Sequence, residues 1–319
     1  MLRTQSILNT DCDAGSGKSV FQDPTRRFYP TRVIKTSDNQ MLVVGQTIVY
    51  PNYLISRGLI MKTDQEGNPA WINMVGRADN PSYHYINYWD VVEITDGFIA
   101  FGTTENHSNY NHDLILTKIS PAGTVIWHRI FKSKYWTNDH GSPDYFGAPK
   151  LIYDASENSV YLSAMNWEKG RNITKFSTGN GDIAWSRAYS MWDVGFDYNM
   201  GIVFGDTELY SFGFMLGDYV KQLAAYRINK ANGNLIASKF YEVDAPVRER
   251  IVIWGQHSAS RLANGNFLVG GTNADYAGTN TNDYYRAGLF EFDATLNLVK
   301  GTAIRSAVGG NANNINGFE

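Results

Sequence analysis

The sequence predicts an all-β protein assembled from one repeated unit of four short strands, and three observations carry this prediction. Aromatic residues make up 14% of the 319 residues and 30 residues are glycine, a mix that favours strands and tight turns over helices. Alternating apolar stretches are divided by clusters of Gly, Asn, Asp and Ser, as in strands joined by turns. The same four stretches recur over residues 31–74, 88–131, 147–189, 199–241 and 257–304.

A glycine followed four residues later by tryptophan marks the start of the fourth strand in the first three units. The pairs are Gly67 and Trp71, Gly123 and Trp127, and Gly181 and Trp185. The tryptophan position is occupied by Phe21 near the N-terminus, by Ala237 in the fourth unit and by Lys300 in the fifth. These six positions are separated by 50, 56, 58, 52 and 63 residues, so the period persists where the tryptophan is lost.

Units of four antiparallel strands at this period are the sequence mark of a β-propeller, in which neighbouring blades bury each other's faces. We expect one propeller domain over residues 1–319, with five complete repeats in residues 29–305. Residues 1–28 supply only the third and fourth strands of a blade, and residues 306–319 look like the first strand of another. Joining them into one shared blade would close a six-bladed ring and remove its free edges.

The Gly-x-x-x-Trp turn between the third and fourth strands resembles the tryptophan-docking motif of the PQQ-like (quinoprotein-type) propellers. The phrase Leu/Ile-x-Lys-x-Asp…Gly-x-x-x-Trp is also similar to the bacterial delta-60 and related secreted propeller repeats. The resemblance covers nearly the whole chain and is one of fold, so it implies blades and not a cofactor.

Charge and cysteine content argue against several classes of protein. The formal net charge of −3 leaves no basic excess to neutralise phosphates, so nucleic acid is not an expected partner. A single cysteine, Cys12, excludes an internal disulfide framework and a cysteine-based zinc cluster. The sequence shows no apolar core of signal-peptide length at its start and no apolar run long enough to cross a bilayer, so we expect no membrane insertion.

Three motifs look like chemical sites, and none is complete. Residues 14–19 have the glycines of a phosphate-binding loop, but the first glycine is absent and a strand follows instead of a helix. A partial calcium loop in the same segment lacks its glycine and its terminal glutamate. His107, His112 and Asp113 lie in an Asn-rich segment, where we expect them to be solvated rather than bound to a metal. The sequence therefore predicts no metal site, no cofactor and no catalytic residue.

The loops of the repeat divide into a short set and a long set. In a four-stranded blade, the turns between strands one and two and between strands three and four lie on one side. The other loops and the links between blades lie on the opposite side, which we call the long-loop side. Here those segments are long and rich in Tyr and Trp, and long loops on a rigid scaffold commonly carry binding. The predicted binding residues are Tyr85, Trp89, Tyr135, Trp136, Tyr145, Trp192, Tyr198, Trp254, Tyr276 and Tyr284.

Aromatic rings interleaved with Asn and Asp suit a sugar, whose C–H faces stack on rings while its hydroxyls find polar partners, and they suit a protein epitope equally. The sequence therefore predicts a non-catalytic recognition module for a glycan or a protein surface, within an extracellular, secreted or surface-associated assembly. Two alternatives stay open, a glycan-active hydrolase or lyase and a purely structural component. A hydrolase would need two acidic side chains close enough to act together as general acid and general base. The acids on the long-loop side are Asp90, Asp139, Asp144, Asp193, Asp197 and Asp244.

Overall fold

The computed structural model describes residues 3–8, 17–22, 26–49, 56–76, 85–106, 111–131, 149–166, 170–189, 196–216, 221–241, 249–252, 259–275 and 284–304. Every regular element in these ranges is a β-strand, and the strands pair antiparallel with their neighbours in sequence. Within these ranges no helix is long and apolar enough to cross a membrane.

The strands form the predicted four-stranded blades. Blade 1 contains β3 (Arg26–Lys35), β4 (Met41–Val49), β5 (Ser56–Thr63) and β6 (Pro69–Val75). Blade 2 contains β7 (Tyr85–Ile94), β8 (Gly97–Asn106), β9 (Asn111–Ile119) and β10 (Val125–Phe131). Blade 3 contains β11 (Lys150–Asp154), β12 (Ser159–Asn166), β13 (Gly170–Ser177) and β14 (Ile183–Tyr189). Blade 4 contains β15 (Phe196–Phe204), β16 (Glu208–Leu216), β17 (Lys221–Asn229) and β18 (Leu235–Tyr241).

Blade 5 and the N-terminal strands depart from this regular pattern. In blade 5, β19 (Glu249–Val252) and β20 (Ala259–Arg261) both pair with β21 (Phe267–Asp275). The blade continues with β22 (Tyr284–Phe292) and β23 (Leu298–Ile304). Near the N-terminus, β1 (Arg3–Leu8) and β2 (Gly17–Gln22) form a two-stranded sheet, where the sequence predicts half a blade.

The contacts divide the chain into two compact units. Unit 1 comprises Met1–Gly141, Ala155–Asn158 and Thr178–Gly181, and unit 2 comprises Ser142–Asp154, Ser159–Ser177 and Asp182–Glu319. Apolar residues from blades 1 and 2 pack into one core in unit 1, and unit 2 contains two such clusters. A single domain and a ring closed by residues 306–319, which lie outside the described residues, stay predictions.

Ion pairs connect the third strand of a blade to the hairpin formed by its first two strands. In blade 2, Lys118 Nζ lies 2.7 Å from Asp96 Oδ2, and the lysine side chain is only 6% exposed. In blade 4, Arg227 pairs with Glu208, and this hydrogen bond lowers the pKa of the glutamate carboxyl. In blade 2 the ion pair holds a cation of the third strand against the short turn, and in blade 4 it holds one against the start of the second strand.

The glycine–tryptophan motif joins one blade to the next. Trp71 Nε1 donates to Pro121 O at 3.1 Å, and a Cβ on Gly123 would lie 2.6 Å from Cδ2 of the indole. Because Gly123 has φ +87°, the turn already favours glycine, and the indole makes a side chain there still less tolerable. The same contact joins Trp127 to the turn at Gly181, and Trp185 to the turn at Gly233.

Two glycines with the same φ separate the destabilisation caused by a clash with the indole from that caused by backbone strain. Gly265 also has φ +87°, but a Cβ there would meet nothing within 4 Å. Gly123→Ala and Gly265→Ala should therefore share a backbone strain of about 1 kcal/mol. Only Gly123→Ala should lose about 2 kcal/mol more through the clash with Trp71. Urea unfolding of both variants measures the difference, and equal losses would contradict the docking role of the indole.

Blade 4 lacks the tryptophan, and the turn of blade 5 that would receive it carries a larger side chain in place of glycine. The anchor position holds Ala237, and the turn that would receive an indole carries Leu296 instead of glycine. Leu296 has φ +62° and is fully buried, and Ala237 packs against the apolar cluster that contains it. The leucine side chain therefore supplies the apolar volume that the missing indole would have filled.

Candidate functional site

The structure describes only part of the predicted long-loop side. Tyr85 and Trp89 are described in full, and both lie in β7 rather than in a link between blades. Tyr198 lies in β15 and Tyr284 in β22. The other predicted residues lie outside the described residues, namely Tyr135, Trp136, Tyr145, Trp192, Trp254 and Tyr276. The four predicted residues that are described therefore lie on strands of blades 2, 4 and 5.

A β-bulge in β7 positions Trp89 and Asp90. The register shifts between Tyr88 and Asp90, which leaves Trp89 as the extra residue. Gly102 on β8 pairs with Tyr88, and a Cβ on this glycine would lie 2.3 Å from Asn87 O. The missing side chain therefore leaves room for the bulged backbone. The first strand of blade 1 repeats the arrangement with Thr31, Arg32 and Gly45.

The two bulges meet because β3 lies beside β7. Thr31 Oγ1 donates to the backbone oxygen of Tyr88, which ties one bulge to the other. We call the residues gathered here the inner-strand site; they are Tyr29, Arg32, Tyr85, Trp89 and Asp90. Bulges commonly re-aim side chains next to functional sites, and here the residues that follow them, Arg32 in blade 1 and Asp90 in blade 2, form an ion pair.

An ion pair lies at the centre of the inner-strand site. Arg32 Nε lies 3.4 Å from Asp90 Oδ1, with the arginine side chain 27% exposed and the aspartate side chain 1% exposed. The N–H of Val91 also donates to Asp90 Oδ1, at 2.9 Å. The buried carboxylate thus holds a partly exposed guanidinium in place, and the pair carries no net charge.

The indole of Trp89 is fixed by a hydrogen bond from its ring nitrogen. Its Nε1 donates to Thr103 Oγ1 at 2.9 Å, and the side chain is half-buried. Tyr29, on the neighbouring strand, is 40% exposed, and Tyr85 is half-buried. Three rings therefore lie on two adjacent strands, and one of them is oriented by a specific hydrogen bond.

Tyr88 belongs to the core and not to a binding surface. It is fully buried, its hydroxyl lies 2.6 Å from Thr117 Oγ1, and burial raises its pKa. A Cβ on Gly58 would lie 2.3 Å from the ring, so the glycine on β5 makes room for it. Blade 1 thus packs against the strand that carries Trp89.

The acids on the long-loop side show no catalytic pair among the described residues. Asp90 is engaged with Arg32 and with the backbone of β7. Asp197 lies in β15, whereas Asp139, Asp144, Asp193 and Asp244 lie outside the described residues. In the described stretches, no group of three or more His, Cys, Asp and Glu side chains could hold a metal ion. Of the three residues weighed as metal ligands, His112 and Asp113 lie in β9 and His107 is not described.

The sequence analysis did not include Tyr29 and Arg32 in the site. A signal was present, because aligning the repeats on their first strands places Arg32 and Asp90 at the same position with opposite charges. Opposite charges at one repeat position predict a contact between adjacent first strands. Tyr29 lies just before residues 31–74, where the four stretches of the first repeat are recognised, and the sequence analysis does not count it among the aromatic residues of the long-loop side.

Comparisons with solved structures support the β-propeller fold. The periplasmic gluconolactonase PpgL of Pseudomonas aeruginosa superposes with a TM-score of 0.51 at 14% identity, over 91% of this chain and 74% of that one. The Dos1 propeller superposes with a TM-score of 0.48 at 11% identity, over 88% of this chain and 61% of that one. A GH43 endo-arabinanase from Bacillus licheniformis superposes with a TM-score of 0.41 at 13% identity, over 85% of this chain and 96% of that one.

No family model and no curated protein matches the sequence. At identities this low, likeness to solved structures reports the fold alone. The chain is accordingly an all-β protein of propeller type, built from four-stranded blades. Of the resemblance to PQQ-like propellers, the β-propeller fold is supported, and no match at the level of a family is found.

Proposed function

We propose that the chain is a carbohydrate-recognition module whose ligand binds at the inner-strand site. The observation that carries the proposal is the group of three rings on adjacent strands, Tyr29, Tyr85 and Trp89, beside the pair of Arg32 and Asp90. Partly exposed rings offer flat apolar surfaces to the C–H faces of a sugar at little cost in entropy. The guanidinium, which forms an ion pair with the buried carboxylate, supplies donors for sugar hydroxyls.

The first test is binding of the purified chain to a panel of oligosaccharides, followed by titration of the best ligand. Trp89→Ala should weaken binding by about tenfold or more, because it removes the oriented ring. Trp89→Phe should retain most of the affinity, because it keeps an aromatic surface and loses only the bond to Thr103. Ile126→Ala, which alters an exposed residue on the outer strand β10, serves as the control and should bind normally.

Two outcomes would change the assignment. If no oligosaccharide binds, the proposal fails, and a protein surface becomes the ligand to search for. If the bound oligosaccharide is cleaved on incubation, the hydrolase alternative replaces the recognition module. Asp90→Asn in the same assay shows whether cleavage depends on the acid of the inner-strand site.

A further inference from the structure

We propose that Asn264 is a site of spontaneous deamidation, at which the folded chain exchanges a side-chain amide for a carboxylate. Asn264 is exposed and precedes Gly265 in the turn of residues 262–266, which joins β20 to β21 in blade 5. The turn belongs to unit 2 and the inner-strand site to unit 1, so this proposal and the carbohydrate site can fail separately.

The reaction needs only water besides the protein. The backbone nitrogen of Gly265 attacks Cγ of Asn264, and the proton of that nitrogen leaves with the side-chain amide as ammonia, which closes a succinimide ring. Water then adds to one of the two ring carbonyls and opens the ring to aspartate or isoaspartate. Glycine after asparagine favours the attack, because it has no Cβ to hinder its nitrogen and its backbone turns freely.

Three Asn-Gly pairs lie in the described residues, and their local features are alike. Each asparagine is exposed and each glycine has a positive φ; the pairs begin at Asn180, Asn232 and Asn264. Residues 231–234 and 263–266 are both Ala-Asn-Gly-Asn. In both, the asparagine Oδ1 accepts from the N–H two residues later, at 2.9 Å from Asn234 and 3.0 Å from Asn266. Local sequence and turn geometry therefore do not separate Asn232 from Asn264.

A tryptophan from the preceding blade covers each of the other two turns. Gly233 is buried, and a Cβ there would lie 2.6 Å from Cε3 of Trp185. Its carbonyl oxygen also accepts from the Tyr189 hydroxyl at 2.6 Å. Gly181 is likewise buried, and a Cβ there would lie 2.9 Å from Cη2 of Trp127. Moving the glycine nitrogen in either turn therefore disturbs the contact between two blades.

The turn at Gly265 has no such cover. A Cβ on Gly265 would meet none of the described residues within 4 Å, so the backbone can rearrange there without displacing a side chain. The N–H of Gly265 donates to Leu262 O at 3.0 Å, and the N–H of Gly233 donates to Asn229 O at 2.8 Å. Both turns must break one such bond, and local opening costs less where fewer contacts are lost with it.

Deamidation at Asn264 would reverse an attractive contact. The Nδ2 group of Asn264 donates to Glu291 Oε1 at 3.2 Å, and this oxygen also accepts from Asn266 Nδ2 at 2.6 Å. A carboxylate at position 264 has no proton to donate and adds a second negative charge beside Glu291. The modification thus weakens the connection between this turn and β22.

Peptide mapping by mass spectrometry after incubation in mildly alkaline buffer tests the proposal. In the folded chain, Asn264 should deamidate at least about tenfold faster than Asn232 or Asn180. In guanidinium chloride, Asn232 and Asn264 should react at equal rates, because their neighbours in sequence are identical. The proposal is overturned if Asn232 or Asn180 reacts as fast as Asn264 in the folded chain, or if the difference between Asn232 and Asn264 persists after unfolding.

Variants of the covering residues test the reason for the difference. Trp185→Ala should speed deamidation of Asn232 about tenfold and leave the rate at Asn264 unchanged. Tyr189→Phe is the milder variant, since it removes only the hydrogen bond to Gly233 O, and it should raise the rate at Asn232 by a smaller factor. If the folded chain deamidates at Asn232 no faster in either variant, packing of the preceding blade does not set the rate, and the argument for Asn264 fails.

Discussion

Gly102→Ala is expected to destabilise the chain by about 2–4 kcal/mol, because the new methyl group cannot be accommodated without moving backbone. The Cβ would lie 2.3 Å from Asn87 O and 2.9 Å from Cδ1 of the buried Tyr88. Neither neighbour can move freely, since Asn87 is part of the paired strand β7 and Tyr88 is packed against blade 1. Chemical denaturation, compared with the unmodified chain, measures the loss.

Gly301→Ala is the matched control for this substitution. Gly301 also lies in a strand, but a Cβ there would be 3.5 Å from Phe290, an ordinary van der Waals distance. Alanine should therefore be neutral or slightly stabilising at this position, since glycine weakens strand interiors. If both variants unfold at the same denaturant concentration, the glycine opposite the bulge has no special role. Gly102→Ala should also weaken ligand binding at the inner-strand site, because the bulge carries Trp89 and Asp90.

The double variant Ala237→Trp with Leu296→Gly is expected to lose about 2–4 kcal/mol less unfolding free energy than the two single variants lose when their effects are added. Leu296→Gly alone should lose about 2–4 kcal/mol, since the cost of an apolar cavity exceeds the gain from relieving a positive φ. Ala237→Trp alone should lose about 1–3 kcal/mol by overfilling the core cluster. Together they recreate the contact that Trp71, Trp127 and Trp185 make with the glycine turns of the next blade.

A thermodynamic double-mutant cycle from urea unfolding gives the coupling energy directly. Leu42→Ala combined with Leu296→Gly supplies a control pair, because Leu42 belongs to the core of unit 1 and shares no cluster with Leu296. That pair should be additive. If the Ala237→Trp and Leu296→Gly pair is equally additive, the leucine does not take the place of an indole.

The blades could be predicted from the sequence because each contains the same local signals. Alternating apolar residues and short turn clusters specify strands and hairpins without distant information. The predicted turn glycines were confirmed in the structure, where Gly67, Gly123 and Gly181 all have positive φ. The pairing of β19 with β21 escaped prediction, since residues 249–252 carry no turn signal to separate them from a link between blades.

The site was harder to predict because its residues come together across blades. Trp89 looked like a loop residue, since a bulge breaks the period-two alternation that would have placed it in a strand. Arg32 looked like an ordinary exposed charge on a strand, and only its partner on the next blade gives it a role.

The docking of each tryptophan on the following blade gives the chain a direction during synthesis. A blade that has just left the ribosome has its four strands but not the turn that receives its indole, because that turn belongs to residues still to be made. Blades 1 to 3 should therefore each reach full protection from proteolysis only about one repeat later than their own strands emerge. Removing blades from the C-terminal end leaves the indole of the last remaining blade without the glycine turn on which it packs. Removing blades from the N-terminal end leaves only a glycine turn with no indole packed on it.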